Sequence, residues 1–290
     1  MLSDPSPYGF LHNPQLPSEE AIVNHCSQLG FPSGTALLDS SASVIAWIRC
    51  GPDVTLGEAR TQDWAAQALR TAGASDILVP RVYHAFTADY RGLSIGYIAM
   101  EYIESINCKR EDVELIAKAI EALIGLQAPA AATLGHMGGG TKSIVHSFFP
   151  EWLPNAHYRT DQDFYAHIHN ILKFLRIDFR DDIDLSSYGR YLCPSDFNRG
   201  NFKKCTMGDG RLVVVVSNFH ATCFMPIPFI EVALKKPRDP FSQLVVQKIT
   251  NPYQPSGYAG PLIIASALLH QYGVGPVALP SGVHARRGHI

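Results

Sequence analysis

Apolar residues in the stretch TLGEARTQDWAAQALRTAG (residues 55–73) recur three and four apart, at Ala59, Trp64, Ala65, Ala68 and Leu69. That period predicts a helix, opened by a capping-box pattern from Thr55 to Glu58. The pattern is sharper in REDVELIAKAIEALIGLQA (110–128), where Val113, Ile116, Ile120, Leu123 and Ile124 share one helical face. EEAIVNHCSQLG predicts a short helix stopped by Gly30, and DQDFYAHIHNILKFL another; helical residues also run around Ile230–Lys235 and Pro261–Gln271. Elsewhere the period is that of strands. SASVIAWIRCG carries a β-branched and aromatic run closed by Gly51, and LVPRVYHAFTADYRGLSIGYIAMEYI predicts two antiparallel strands about a turn at Asp89–Gly92. CTMGDGRLVVVVSNF predicts a hairpin turned at Asp209-Gly210, with the four valines as a buried return strand. The Gly- and Ala-rich 129–152 is mostly loop, and RIDFRDDIDL (176–185) a solvated connection.

These elements predict an α+β chain of two lobes: an N-terminal arm over 1–20, a small antiparallel-sheet lobe over 21–104, and a larger, mainly helical lobe over 105–290. The chain of 290 residues, 46% hydrophobic and 17% charged, has the apolar content for a core of this size. A formal charge of −2 gives no footprint for nucleic acid, and Arg286-Arg287 is the one dense basic spot. The N-terminal stretch lacks a basic and apolar leader, and Pro261–Leu269 is too short to span a bilayer, so neither secretion nor a membrane is expected and the cytoplasm is. Cys26, Cys50, Cys108, Cys193, Cys205 and Cys223 form no CxxC pair and read as free thiols. The triple glycine 138–140 is not followed by the Lys-Ser/Thr order of a phosphate-binding loop. His167 and His169, two apart, do not share a helix face, which favours packing or surface roles over metal ligation.

CPSDFNRGNF (193–202) carries Asp196 and Asn201 five residues apart, just before the hairpin. In kinase-fold phosphotransferases that spacing sets an Asp against the acceptor hydroxyl and an Asn on a magnesium ion. Both residue types also suit a plain turn without catalysis. With DFNRGN, the hairpin and FMPIPFIEVAL in view, the sequence resembles the fungal aminoglycoside-phosphotransferase and choline-kinase-like family, a branch of the protein-kinase-like fold. IRCGPDVTLGEA stands where that family has a strand ending in Lys and a Gly-Pro turn. VPRVYHAF resembles its PVPKVY, IAMEYIE its hinge, and LGHMGGG its LGPVGGG turn.

The resemblance implies that Glu101, Tyr102 and Ile103 form a hinge whose backbone meets an adenine edge. It puts Glu58 on the helix that pairs with the phosphate-binding Lys, whose position Arg49 occupies; Arg49 and Glu58 read equally as phosphate binders or as an ordinary ion pair. Asp196 takes the acceptor-facing position, although Pro194-Ser195 replaces the usual His-Gly or His-x before it, and Asn201 the remaining metal position. The family's metal-binding Asp falls on Ser217 or Asn218 according to the direction of counting, and neither is a carboxylate, which puts both ATP and Mg²⁺ in doubt as cofactors. GFPSGTALLDSS reads as a loop or an abbreviated nucleotide lid, Glu231 as structural, and His220 as a packing residue or a base of other chemistry. The leading expectation is a pseudokinase-like binder of a small molecule or a protein partner. The alternatives are an active ATP-dependent small-molecule phosphotransferase with a non-standard metal site, and a cleft reused for ATP-independent chemistry. The tail after Pro237 carries no readable motif.

Overall fold

Ser18 opens the first helix: its hydroxyl accepts from the N–H of Ala21 at 3.3 Å, satisfying a donor with no partner inside the helix. Helix α1 (Glu19–Gln28) buries Ile22 and Cys26, four apart, and gives way to Gly30 at φ 73°. The computed structural model describes residues 9–139, 143–154, 156–177, 184–272 and 278–285. The first eight residues of the arm, Gly140 of the triple glycine, 178–183 of the polar connection and Arg286-Arg287 lie outside them. After α1 come β1 (Thr35–Leu38), β2 (Val44–Gly51), α2 (Leu56–Thr71), β3 (Ile77–Leu78), β4 (Val82–Tyr90), β5 (Leu93–Met100) and β6 (Ile106–Asn107). Then follow α3 (Val113–Ile124), β7 (Ala156–His157), α4 (Asp161–Phe174), β8 (Tyr191–Pro194), β9 (Phe202–Thr206), β10 (Leu212–Val216), β11 (Thr222–Met225), α5 (Ile227–Lys235), α6 (Pro240–Val246), α7 (Ala259–Tyr272) and β12 (His284–Ala285). The chain is α+β, with its main sheet antiparallel.

Contacts divide the chain into two units: Met1–Ile106 with Lys203–His220, and Asn107–Phe202 with Ala221–Ile290. The sequence reading sets everything after residue 104 in one lobe; by contacts, Lys203–His220 group with Met1–Ile106. β10 pairs in parallel with β3, Val214 opposite Ile77 and Val215 opposite Leu78, which draws the hairpin into the first unit. Arg211 adds a donor to the carbonyl of Ser75 at 2.7 Å.

In the first unit the strands run in the order β1-β2-β5-β4, all antiparallel. Strand alternation sorts their side chains. Ala46, Ile48 and Cys50 of β2 join Ile95, Tyr97 and Ala99 of β5 and Ile22 and Cys26 of α1 in one apolar cluster. Ile98 and Met100 face the other way, with Val54 and Ala59 at the start of α2 and Val82 of β4. A helix therefore covers each face of the sheet. Trp47 and Arg49, in alternation with the buried set, lie on the α2 face. Asp63, buried in α2, accepts from Arg81 Nε at 2.6 Å and from the N–H of Val82 at 3.0 Å, pinning the helix to the start of β4. Gly96 allows the closest approach: a Cβ there would collide with the carbonyl oxygen of Val54. Gly96→Ala is expected to cost about 2 kcal/mol in urea unfolding, as overpacking does where backbone must move; a variant as stable as the parent would show that this loop yields freely.

The second unit is built on helices and aromatic packing. Phe229 of α5 touches Phe148 at 5.4 Å and Phe164 of α4 at 5.3 Å between ring centroids, and α7 lies against α5 and α4. α4 starts with a full capping box between Thr160 and Asp163. β8 pairs with β11, Cys193 opposite Cys223. The loop reading of one segment and the list of elements change. GFPSGTALLDSS contains the edge strand β1, whose return turn is held by Asp39 accepting from the N–H groups of Ser41 (2.8 Å) and Ser43 (2.9 Å). β8, β11 and α6 add to the elements that the sequence pattern predicts. His167 is buried and bonded to the Tyr158 hydroxyl at 2.7 Å, a packing role. Glu231 is buried and accepts from the N–H of Ser256 at 2.9 Å and from its hydroxyl, which makes it structural. The six cysteines are free thiols, five of them buried. Among the described residues no helix is long and apolar enough to cross a membrane.

Candidate functional site

Three of the residues singled out by sequence meet inside the first unit: Arg49, Glu58 and Asn218. β2 carries Arg49, the first turn of α2 carries Glu58, and the segment after β10 carries Ser217 and Asn218. Arg49 Nε lies 3.3 Å from Glu58 Oε1, with Glu58 fully buried and the arginine side chain 19% exposed. Arg49 Nη1 donates to Asn218 Oδ1 at 2.6 Å, and the same oxygen accepts from the N–H of His220 at 3.2 Å. Thr55 caps α2 through the N–H of Glu58 at 3.0 Å. The N–H groups of Phe219 and Thr55 face the Glu58 carboxylate, yet neither of its oxygens makes a hydrogen bond of full geometry. Burial disfavours its charge more than Arg49 favours it, and the carboxyl is pushed up to about 7.

These residues do not fit a magnesium ion. Mg²⁺ is held through carboxylates and phosphate oxygens; Ser217 and Asn218 are neutral, and the amide oxygen of Asn218 already accepts from a guanidinium. Two unit charges 4 Å apart exchange about 4 kcal/mol at an effective dielectric near 20, and a dication doubles the repulsion. Among the described residues no group of three or more His, Cys, Asp or Glu side chains is arranged to hold a metal.

The residues that the sequence assigns to a catalytic loop belong to the second unit. β8 ends at Pro194, and the buried Ser195 anchors the start of the loop: its N–H and its hydroxyl both donate to the carbonyl of Ala221, at 2.9 and 3.1 Å. By sequence Ser195 is only a departure from His-x-Asp. Asp196 Oδ1 accepts from the N–H of Asn198 at 3.1 Å, an Asx turn, and Asn198 Oδ1 accepts from the N–H of Gly200 at 2.9 Å. Asn201 Nδ2 donates to the Asp196 carbonyl at 3.1 Å, so the Asp–Asn pair is joined and the loop is closed on itself. Arg238, which no sequence pattern marks, lies over the Trp152 ring at 3.9 Å and feels the Asp196 charge. His146 is buried among Phe148 and Phe229; its Nδ1 accepts from the N–H of Phe148 at 2.9 Å, and burial holds its pKa down to about 3.

The expected hinge follows β5. The N–H of Glu101 donates to the Arg81 carbonyl at 2.9 Å, and its carboxylate accepts from Arg70 at 3.0 Å and from the N–H of Arg81 at 3.2 Å. The Ile103 carbonyl accepts from the Ser105 hydroxyl at 2.9 Å. Tyr102 stacks on Trp47, their ring centroids 6.3 Å apart and planes 26° off parallel. Trp47 is missing from the residues that the motifs single out, although standing two residues before Arg49 on one strand puts both on the same face.

No family model matches the chain, and no curated protein does. Among solved structures it is similar to a microcompartment-associated aminopropanol kinase, at 13% identity over 90% of this chain and 99% of that one, with a TM-score of 0.39. A macrolide 2'-phosphotransferase from Brachybacterium faecium gives 11% identity, coverage of 89% and 92%, and a TM-score of 0.40. An ethanolamine kinase from Plasmodium vivax gives 12%, 86%, 81% and 0.35.

Proposed function

We propose that this chain is a pseudokinase-like relative of the aminoglycoside-phosphotransferase and choline-kinase-like proteins: a kinase-fold binder of a small molecule or protein partner that does not transfer phosphate. The motif order from IRCGPDV to FMPIPFIEVAL supports the kinship. The contact that supports loss of transfer is Arg49 Nη1 to Asn218 Oδ1, 2.6 Å. Phosphoryl transfer depends on charge placed around the moving phosphoryl group, above all on the metal ions that bridge its oxygens. Here the residue at the metal position is neutral and engaged by an internal cation, while that cation is itself drawn toward Glu58. Asp196 and Asn201 retain the spacing of the ancestral loop and serve its turn.

The test is thermal unfolding with ATP or ADP at saturating concentration, each with Mg²⁺, Mn²⁺ or EDTA, and then an ATP-consumption assay. The expected result is no metal-dependent rise in Tm and no turnover. A ligand at about 100 times its Kd stabilises by about 2.7 kcal/mol, a readily measured shift. Magnesium-dependent ATP turnover that disappears in Asp196→Ala would overturn the proposal in favour of an active phosphotransferase.

A further inference from the structure

We propose that the indole of Trp47 is a built-in occupant of the pocket beside residues 101–103, and that it determines specificity by excluding a planar base. This rests on the proposed function in one respect, the reading of Glu101–Ile103 as a hinge. The rest is geometry within the first unit. Trp47 projects from the α2 face of β2 and stacks on Tyr102. The Lys203 ammonium stands 5.1 Å from the centre of its ring, where the negative face of the π-system holds a cation. On another side, the backbone of Gly34 comes so near that an added Cβ would lie 2.7 Å from the indole Cζ2. Tyrosine, lysine and glycine from three separate segments thus fix one ring position.

What the ring leaves is small. The cavity bounded by Trp47, Met100, Glu101, Tyr102, Ile103 and Ser217 is about 30 Å³. A water needs about 10–15 Å³ on such a measure, and sites that bury small molecules run to about 300–1,000 Å³. There is room for a water or two. An indole is a fused five- and six-membered ring with nearly the outline of a purine, so the side chain occupies the kind of space that a base would need. An alanine at position 47 would return that space while leaving Tyr102 on its border.

The inference is tested by thermal unfolding of the wild type and Trp47→Ala in EDTA, with adenosine, with indole, or with neither. The wild type is expected to respond to neither compound. Trp47→Ala is expected to melt lower and to regain about 5 °C or more with saturating indole and with saturating adenosine. Adenosine stabilising the wild type as much as the variant would overturn the inference, as would a variant that answers to indole alone or to neither compound. Should Trp47→Ala fail to fold, Trp47→Val, β-branched in a strand interior, carries the same comparison. Adenosine has no phosphate and EDTA removes metal, so adenosine binding to a wild type that does not turn over ATP would defeat this inference and leave the proposed function standing. Magnesium-dependent turnover by the wild type would defeat that function first.

Discussion

Between pH 4.5 and 7, Glu58→Gln is expected to remove about 3 kcal/mol of pH-dependent loss of stability that the wild type shows. The carboxyl is fully buried and titrates at about 7 in the folded chain against 4.5 in a model peptide. Its proton is held more tightly folded than unfolded. The associated stability is fully present below pH 4.5 and is lost as pH rises through 7, at about 1.4 kcal/mol per unit. Urea unfolding of both proteins across pH 4 to 8 measures this, and subtracting the two curves cancels groups that titrate alike in both. Parallel curves would mean that Glu58 is already ionised in the folded state at pH 5, and that Arg49 outweighs its desolvation.

His146 acts in the opposite direction. Its pKa is about 3 folded against 6.5 free, so the unfolded chain binds the extra proton first. The stability that comes from keeping it neutral is present above pH 6.5 and lost as pH falls toward 3, about 4 kcal/mol between 6.5 and 3.5. His146→Asn keeps an acceptor near the place of Nδ1 for the N–H of Phe148. It removes the titration, so its acid-unfolding midpoint is expected below that of the wild type. An unchanged midpoint would show that other groups control acid unfolding. From pH 4.5 to 6.5 the Glu58 and His146 slopes nearly cancel, so the wild type can look insensitive to pH while two buried groups pull against each other.

The helices with a strong period are legible in the sequence. α3 buries Ile116, Ile120, Leu123 and Ile124, all on the face that the sequence marks, and Thr55 caps α2 where the pattern puts it. Short strands that are mostly or wholly buried are not: β8 and β11 have four residues each and little alternation to detect. α6 does leave a local signal, Asp239 as N-cap with Pro240 next to it, but its single turn or two carry too little period to stand out. At the site, the family resemblance sets Arg49 beside the helix of Glu58, and the two side chains meet. Arg49 and Asn218 stand 169 residues apart, and which cation Asn218 faces is decided by the pairing of β10 with β3, for which no local pattern exists. The same holds for Trp47: alternation gives its face, but the stack on Tyr102 requires β2 beside β5.

The pairing of β3 with β10 also bears on how the chain emerges from the ribosome. Once Ile106 has been added, the four antiparallel strands of the first unit all exist, yet β3 has no partner until Val214 and Val215 are made. At ~5–20 residues per second that interval is on the order of 10 s, long compared with the microseconds in which hairpins form. For that time the nascent first unit carries an unpaired apolar edge, while most of the second is being synthesised. Truncation anywhere between Ile106 and His220 leaves the first unit unfinished and the second without Ala221–Ile290.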